Sequence, residues 1–298
     1  MDWIVLSLLS ALGLGFYDVA KKQSVRDNAV PAVLWINVGT AAAIWGPFVL
    51  ASFLVHDSET RLSPLAITDL WLHLALLGKA NLVGLSWMLA FFALKHLPIS
   101  IATPIRATSP CWTILLAVLL MHERPSVTQW IGLVIVVVAF LLFSRIGLRE
   151  GIRFARNRWV ALMIGATLIG AVCGLYDKVL LQRLQLSPAT VQAWFSIYLV
   201  PVMTPLAVYW FRYDRKRVPF QWRWSIPCIA IMLLIADFAY FTALSNPDAL
   251  VSVVSPLRRA SVVIPFTFGI LGLREANWRP KLACLVAILI GVVVLAQS

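Results

Sequence analysis

"GFYDVAKK" (Gly15 to Lys22) closes the first apolar run of the chain, and "GLYDKVLL" (Gly174 to Leu181) closes another about 160 residues later. An aspartate placed twice at the same point of an apolar run signals a duplicated unit, and the signal spreads outward from there. Trp35 answers Trp194 at the same offset. "AFFALKHLP" (Ala90 to Pro98) answers "AYFTALSNP" (Ala239 to Pro247), and "TPIR" (Thr103 to Arg106) answers "SPLR" (Ser255 to Arg258). "HERPSVTQW" answers "LREANWRPK", with Glu123 opposite Glu275. The correspondences keep their order along the chain, as an internal repeat requires.

Of the 298 residues, 61% are hydrophobic and 13% charged, against about 45–50% and 25% in soluble domains. The excess sits in runs long enough to cross a bilayer core of about 30 Å as helices of about 20 residues. The expected spans are 3–20, 32–55, 69–94, 99–121, 126–144, 159–182, 189–211, 225–245, 249–272 and 280–297. Continuous runs of this length exclude the alternating pattern of a membrane β-barrel. The expected fold is an all-α integral membrane protein of ten transmembrane helices. Five spans per half is an odd number, so the second half enters from the opposite side, giving two inverted-topology five-helix repeats. The units are 1–144, a basic linker 145–158, and 159–298. The N-terminal run lacks a basic leader and reads as a retained span.

The net charge of +12 does not indicate nucleic acid, because most cations lie between apolar runs rather than in a recognition module. Seventeen fall in the loops on one side of the expected topology, Lys21, Lys22, Lys95, Arg223 and Lys281 among them. Only Arg61, Arg124 and Arg183 fall on the other. The positive-inside rule then puts the crowded side in the cytoplasm and both termini outside an inner (plasma) membrane. Cys111, Cys173, Cys228 and Cys284 lie in apolar runs and read as packing residues. His56, His73, His96 and His122 lie near span ends without metal spacing, so no metal and no cofactor is expected. Glu123 and Glu275 read as favourable charges at helix N-termini.

The paired five-span halves, each closing on a Glu-bearing turn and an apolar last helix ("HERPSVTQWIGLVIVVVAF"), resemble the EamA branch of the drug/metabolite transporter superfamily. The resemblance implies secondary transport of small metabolites without ATP. It also implies, for many bacterial members, cytoplasmic termini, where the charge count here argues the reverse. "SPLRRASVVIP" further resembles the paired basic residues in the ninth helix of the sugar-phosphate/phosphate translocators, which hold a substrate phosphate. On that likeness Arg258 and Arg259 bind substrate, and Lys178 takes the part of an additional basic residue in the sixth helix.

Eight ionisable residues fall inside the spans: Asp18, Lys79, Arg106, Asp177, Lys178, Asp237, Arg258 and Arg259. Each costs about 2.5–3.5 kcal/mol at a helix centre, so each is expected to face a cavity or a partner. The repeat predicts two pairs, Asp18–Arg106 and Asp177–Arg258, exchangeable in gating or fixed as static pairs. Asp237 has no partner by symmetry, so it either carries a coupling proton or pairs with Lys79. Summed, the eight give five cations and three carboxylates, a surplus that draws anions. The expected substrate ligands are Arg106, Arg258, Arg259, Lys79, Lys178, Tyr17 and Tyr176. Asp18, Asp177 and Asp237 are expected to gate or couple, while Asn81, Trp87, Thr103, Trp194 and Tyr240 line the route. Pro104, Pro110, Pro256 and Pro265 interrupt spans 4 and 9, as moving helices or as packing kinks.

The leading reading is a proton-coupled or exchange transporter of a small organic anion, phosphorylated metabolites included, working by alternating access as a monomer or homodimer. A carrier of amino acids or other zwitterions, a drug exporter, and a flippase for a phospholipid or polyprenyl-phosphate head group are the alternatives. An enzyme is disfavoured, since no nucleophile–base set appears.

Overall fold

The computed structural model describes residues 3–54, 65–112, 115–116, 126–149, 153–246, 254, 258–273 and 277–295. Glu123, Glu275, His56, His122, Pro256 and the Ser255–Leu257 part of the second Arg motif lie outside them. The described residues are helical, without strands. The helices are α1 (Trp3–Val25), α2 (Val30–Leu54), α3 (Leu70–His96), α4 (Ile99–Ala107), α5 (Val127–Arg149), α6 (Arg158–Lys178), α7 (Pro188–Tyr209), α8 (Ser225–Leu244), α9 (Val263–Leu271) and α10 (Trp278–Leu295). Seven helical segments among them are long and apolar enough to cross a membrane. The expected spans 99–121 and 249–272 are described only in part.

Local chemistry sets the helix ends. Asp69 caps α3 by accepting from Trp71 N, and Asn157 caps α6 by accepting from Trp159 N and Val160 N. Ser187 accepts from Thr190 N, with Pro188 in the first position of α7. α4 ends at Ala107 with Thr108 as its C-cap, and helix resumes at Ser109 with Pro110 in its first turn, where the missing N–H costs nothing. Asp27 and Gln185 both take left-handed backbone (φ 52° and 51°), in the turns leading to α2 and α7. α5 runs on to Arg149 and α1 to Val25, so part of the expected linker and of the first loop is helix.

First-half helices pack chiefly on second-half helices: α1 on α8, α2 on α7, α3 on α6 and α5 on α10. α1, α2, α3, α7 and α8 share one apolar core around Val33, Phe91, Leu199 and Ile229. Large apolar side chains such as Leu12, Phe16, Leu50, Leu141 and Ile290 point outward. A bundle that is apolar inside and out is what lipid selects.

Three residues that read as loop cations are buried instead: Lys21, Lys22 and Lys281. Lys22 Nζ donates to the carbonyls of Leu94 (2.8 Å) and Leu97 (2.6 Å), capping the end of α3. Around it the Asn28 side chain exchanges hydrogen bonds with the Gln221 backbone at 2.8 and 2.9 Å. Ser24 bonds Ser225 at 2.7 Å, and Lys95 Nζ donates to Asn28 O at 2.9 Å. This polar knot ties the α1–α2, α3–α4 and α7–α8 connections together at one end of the bundle.

The two repeat glycines differ in their surroundings. A Cβ on Gly15 would lie 2.8 Å from Ile264 Cβ and 3.0 Å from the Ser261 carbonyl, neither of them a flexible tip, whereas one on Gly174 meets nothing within 4 Å. Gly15→Ala is therefore expected to destabilise the protein by about 1–3 kcal/mol. Gly174→Ala is expected to be neutral or to stabilise by about 0.5–1 kcal/mol through helix propensity. Thermal unfolding of the two purified variants checks this, and equal midpoints would remove the close approach of α1 to α9.

Candidate functional site

The buried charges converge at the interior of the bundle. Asp18 of α1 pairs with Arg106 of α4, as the repeat predicts. The second expected pair, Asp177–Arg258, is not formed. Asp177 of α6 pairs with Lys79 of α3, and Arg258 pairs with Asp237 of α8. The alternative of Lys79 with Asp237 is overturned by the same two bridges, and Asp237 does have a partner. The physical reason is that Lys79 and Asp237 have no ionisable counterpart in the other half. An added cation and an added carboxylate let the second set satisfy itself differently from the first.

Burial grades across these pairs. The Lys79 and Asp18 side chains are 2% and 4% exposed, while those of Arg106 and Arg258 are 23% and 17% exposed. The arginine ends therefore reach toward open space while their carboxylates anchor them from behind. Aromatic rings complete the walls. Lys79 Nζ lies 4.2 Å from the Phe241 ring centre and 4.9 Å from that of Phe195, and the Arg258 guanidinium lies 4.0 Å over Tyr240. Such contacts stabilise a cation where water is scarce.

Two cations of the cluster have no carboxylate beside them among the described residues. Arg259 donates from Nη2 to Ser109 Oγ at 3.3 Å, and its buried Nε has no acceptor among the described residues. Arg258, Arg106 and Asp18 all lie within electrostatic reach of it. Lys21 is 2% exposed and sits 4.4 Å from the Phe91 ring centre and 5.2 Å from that of Tyr17. Neither Lys21 nor Arg259 has a carboxylate partner among the described residues.

The remaining expected residues divide. Tyr17 is buried beside Lys21. Tyr176 donates to Ala75 O at 3.0 Å, joining α6 to α3. Lys178 is exposed, away from the cluster, which corrects its expected place beside the substrate. Successive helical residues point about 100° apart, so the burial of Asp177 turns its neighbour outward. Asn81 is exposed and bonds its own helix at Leu77 O. Thr103 bonds back to Ile99 O. Trp194 donates to Leu65 O at 2.8 Å and packs edge-on against His73, which in turn bonds Tyr198 OH at 2.7 Å.

Two residues that the sequence did not single out also line the interior. Asn37 of α2 and Gln192 of α7, each 1% exposed, border a cavity of about 10 Å³ together with Trp87, Phe195, Ser196 and Asp237. Each is the sole amide in its apolar run, and that was the available signal.

Comparison with known proteins agrees with this picture. Residues 1–145 match the EamA-like transporter family, a family of transporters rather than enzymes. An uncharacterized protein of Methanocaldococcus jannaschii is 26% identical over 141 residues, covering 47% of this chain and 95% of its own length. A protein of Escherichia coli, named a probable 4-amino-4-deoxy-L-arabinose-phosphoundecaprenol flippase subunit, ArnE, is 37% identical over 75 residues. That match spans 25% of this chain and 64% of the relative, less than two thirds of its length. A crystal structure of another protein superimposes with a TM-score of 0.63 at 16% identity, covering 99% of this chain and 96% of the other, and shares the fold. The chain is a multi-pass membrane protein whose residues 1–145 match the EamA-like transporter family.

Proposed function

We propose that the chain is a secondary-active, alternating-access transporter of a small organic anion. Its frame is ten membrane spans in two inverted halves, 1–144 and 159–298, joined by the basic segment 145–158. Several features support the frame. The M. jannaschii relative matches over 95% of its length while covering 47% of this chain, as a single half would. The left-handed residues Asp27 and Gln185 each stand three positions before the next helix. If α1 corresponds to α6 and α3 to α8, the α1–α8 pairing is the image of α6–α3, and α2–α7 and α5–α10 are their own images. A two-fold axis between the halves requires this. Leaving out the three buried lysines, fourteen loop cations still face three, which favours the termini outside.

The observation that carries the substrate reading is the surplus of cations. Among the described residues the three carboxylates of this cluster each engage one cation, and Lys21 and Arg259 beside them have no carboxylate partner. Buried charge without a counterion is costly, so the site is built to receive an anion, with the planar Arg259 fork as the principal ligand. Arg106, Arg258 and Lys79 hold the carboxylates Asp18, Asp237 and Asp177 at the interior of the bundle. Asp237 and Arg258 both lie within electrostatic reach of Asp177, so Asp177 can pass between Lys79 and Arg258 as the chamber opens. Coupling is to a transmembrane ion gradient or to exchange of a second anion.

A second reading has one observation in its favour. The E. coli relative is named for flipping an amino-sugar phosphate lipid, and the same cations suit a lipid-borne phosphate. Proteoliposomes separate the two, since a carrier accumulates a water-soluble anion and a flippase moves only a labelled lipid.

Two outcomes are expected. Anions such as phosphate and small carboxylates should raise the unfolding midpoint of the wild type, while uncharged analogues should not. Arg259→Gln should weaken that response by about tenfold or more, and an unchanged response would remove Arg259 from the site. Separately, Asp18→Ala strands the Arg106 cation and should cost about 3–5 kcal/mol. The exchange of Asp18→Arg with Arg106→Asp should restore much of this stability yet abolish anion uptake. Full uptake by the exchanged protein would make the pair a static one.

A further inference from the structure

We infer that the cavity between α2, α7 and α8 is a binding site for a single monovalent cation of the size of sodium. Three helices supply its oxygens. Asn37 Oδ1 comes from α2, Gln192 Oε1 from α7 and the Asp237 carboxylate from α8, with the Ser196 hydroxyl beside them. Asn37 Oδ1 and Gln192 Oε1 are both fully buried and accept no hydrogen bond among the described residues. A buried oxygen left this way is costly, and two of them beside one cavity point to an occupant.

The orientation of the glutamine is fixed rather than arbitrary. Its Nε2 donates to Leu234 O at 2.7 Å, so Oε1 is held as an acceptor on the other side of the amide. Ser196 Oγ already donates its proton to Gln192 O at 2.7 Å, which leaves its lone pairs for a ligand. The donor set is thus all oxygen, as hard cations prefer. The cavity, about 10 Å³, holds a body no larger than about one water, which admits a bare alkali cation and excludes any organic group, and the strong field of a carboxylate ligand favours sodium over potassium.

Charge selects the valence. Asp237 is the one carboxylate lining the cavity, and it is shared with Arg258. The nearby Asp177 is neutralised by Lys79, whose ammonium lies over the Phe195 ring that also lines the cavity. One partly shared negative charge matches a monovalent ion and falls short of a divalent one. A cation seated there competes with Arg258 for Asp237 and so frees a guanidinium toward the chamber. The site thereby supplies the coupling ion of the transport cycle. That coupling role rests on the anion-transporter reading, whereas the cation site itself does not.

The test uses the purified full-length protein with no anionic substrate added. Radioactive sodium should bind saturably. The unfolding midpoint should rise in sodium chloride relative to choline chloride and potassium chloride at equal ionic strength. Asn37→Leu and Gln192→Met, shown by circular dichroism and size exclusion to keep the wild-type fold, should weaken sodium binding by about tenfold or more. Absence of saturable sodium binding to the wild type would overturn the inference and assign the cavity to a bound water. Wild-type sodium affinity in both folded variants would overturn it as well. Should the variants not fold, the wild-type binding measurement decides alone. Loss of the phosphate response in Arg259→Gln is read separately, so failure of the anion reading and failure of the cation site are told apart.

Discussion

The structure depends on the cost of keeping ionised side chains out of water. In an apolar bundle a lone carboxylate or guanidinium loses several kcal/mol of hydration, so each must meet its partner, and the meeting fixes which helices lie together. Asp18–Arg106 joins α1 to α4, Lys79–Asp177 joins α3 to α6, and Arg258 reaches α8 through Asp237. Packing alone would leave helix rotation weakly specified, since apolar surfaces on all sides pack in many rotations. The ion pairs give each helix an inner face, and the rings of Phe91, Phe195, Tyr240 and Phe241 then gather around the cations. The surplus of cations over carboxylates follows from the same accounting: among the described residues, pairing Asp18, Asp177 and Asp237 still leaves Lys21 and Arg259 inside without a carboxylate.

Much of this was legible in the sequence. Run length gave most of the helices, because a bilayer thickness translates directly into residues. The first ion pair was legible because two repeat motifs, "GFYD" and "TPIR", each carry one charge. The second pairing was not. The repeat projects the first-half pattern onto the second, but Lys79 and Asp237 exist in one half only, and symmetry says nothing about residues without a counterpart. The sequence reads Lys21 as a loop residue because the apolar run ends where charges begin, yet α1 continues to Val25. Lys178 differs for the opposite reason, since adjacency to the buried Asp177 along the chain places it on a different, exposed face of the helix. Asn37 and Gln192 each look unremarkable in a long apolar run. Only the packing of α2 on α7 brings both to the border of one cavity.

The asymmetry has a consequence for how such a chamber can change state. Stranding one member of a buried pair costs about 3–5 kcal/mol, a steep barrier to any rearrangement of the bundle. Passing one carboxylate between two cations keeps the number of desolvated pairs constant. Around Asp177 the ingredients for such a transfer are present, with Lys79 as the current partner and Arg258, already shared with Asp237, within electrostatic reach. Around Asp18 they are fewer: Arg106 is the bonded partner, and Lys21 stands nearby between two rings. A strictly duplicated chain would give both faces the same energetics and no preferred resting state. The one added lysine and one added aspartate make the two ends unequal, so under the proposed cycle the two states of the empty chamber differ in energy, while the direction of net flux is left to the driving gradient.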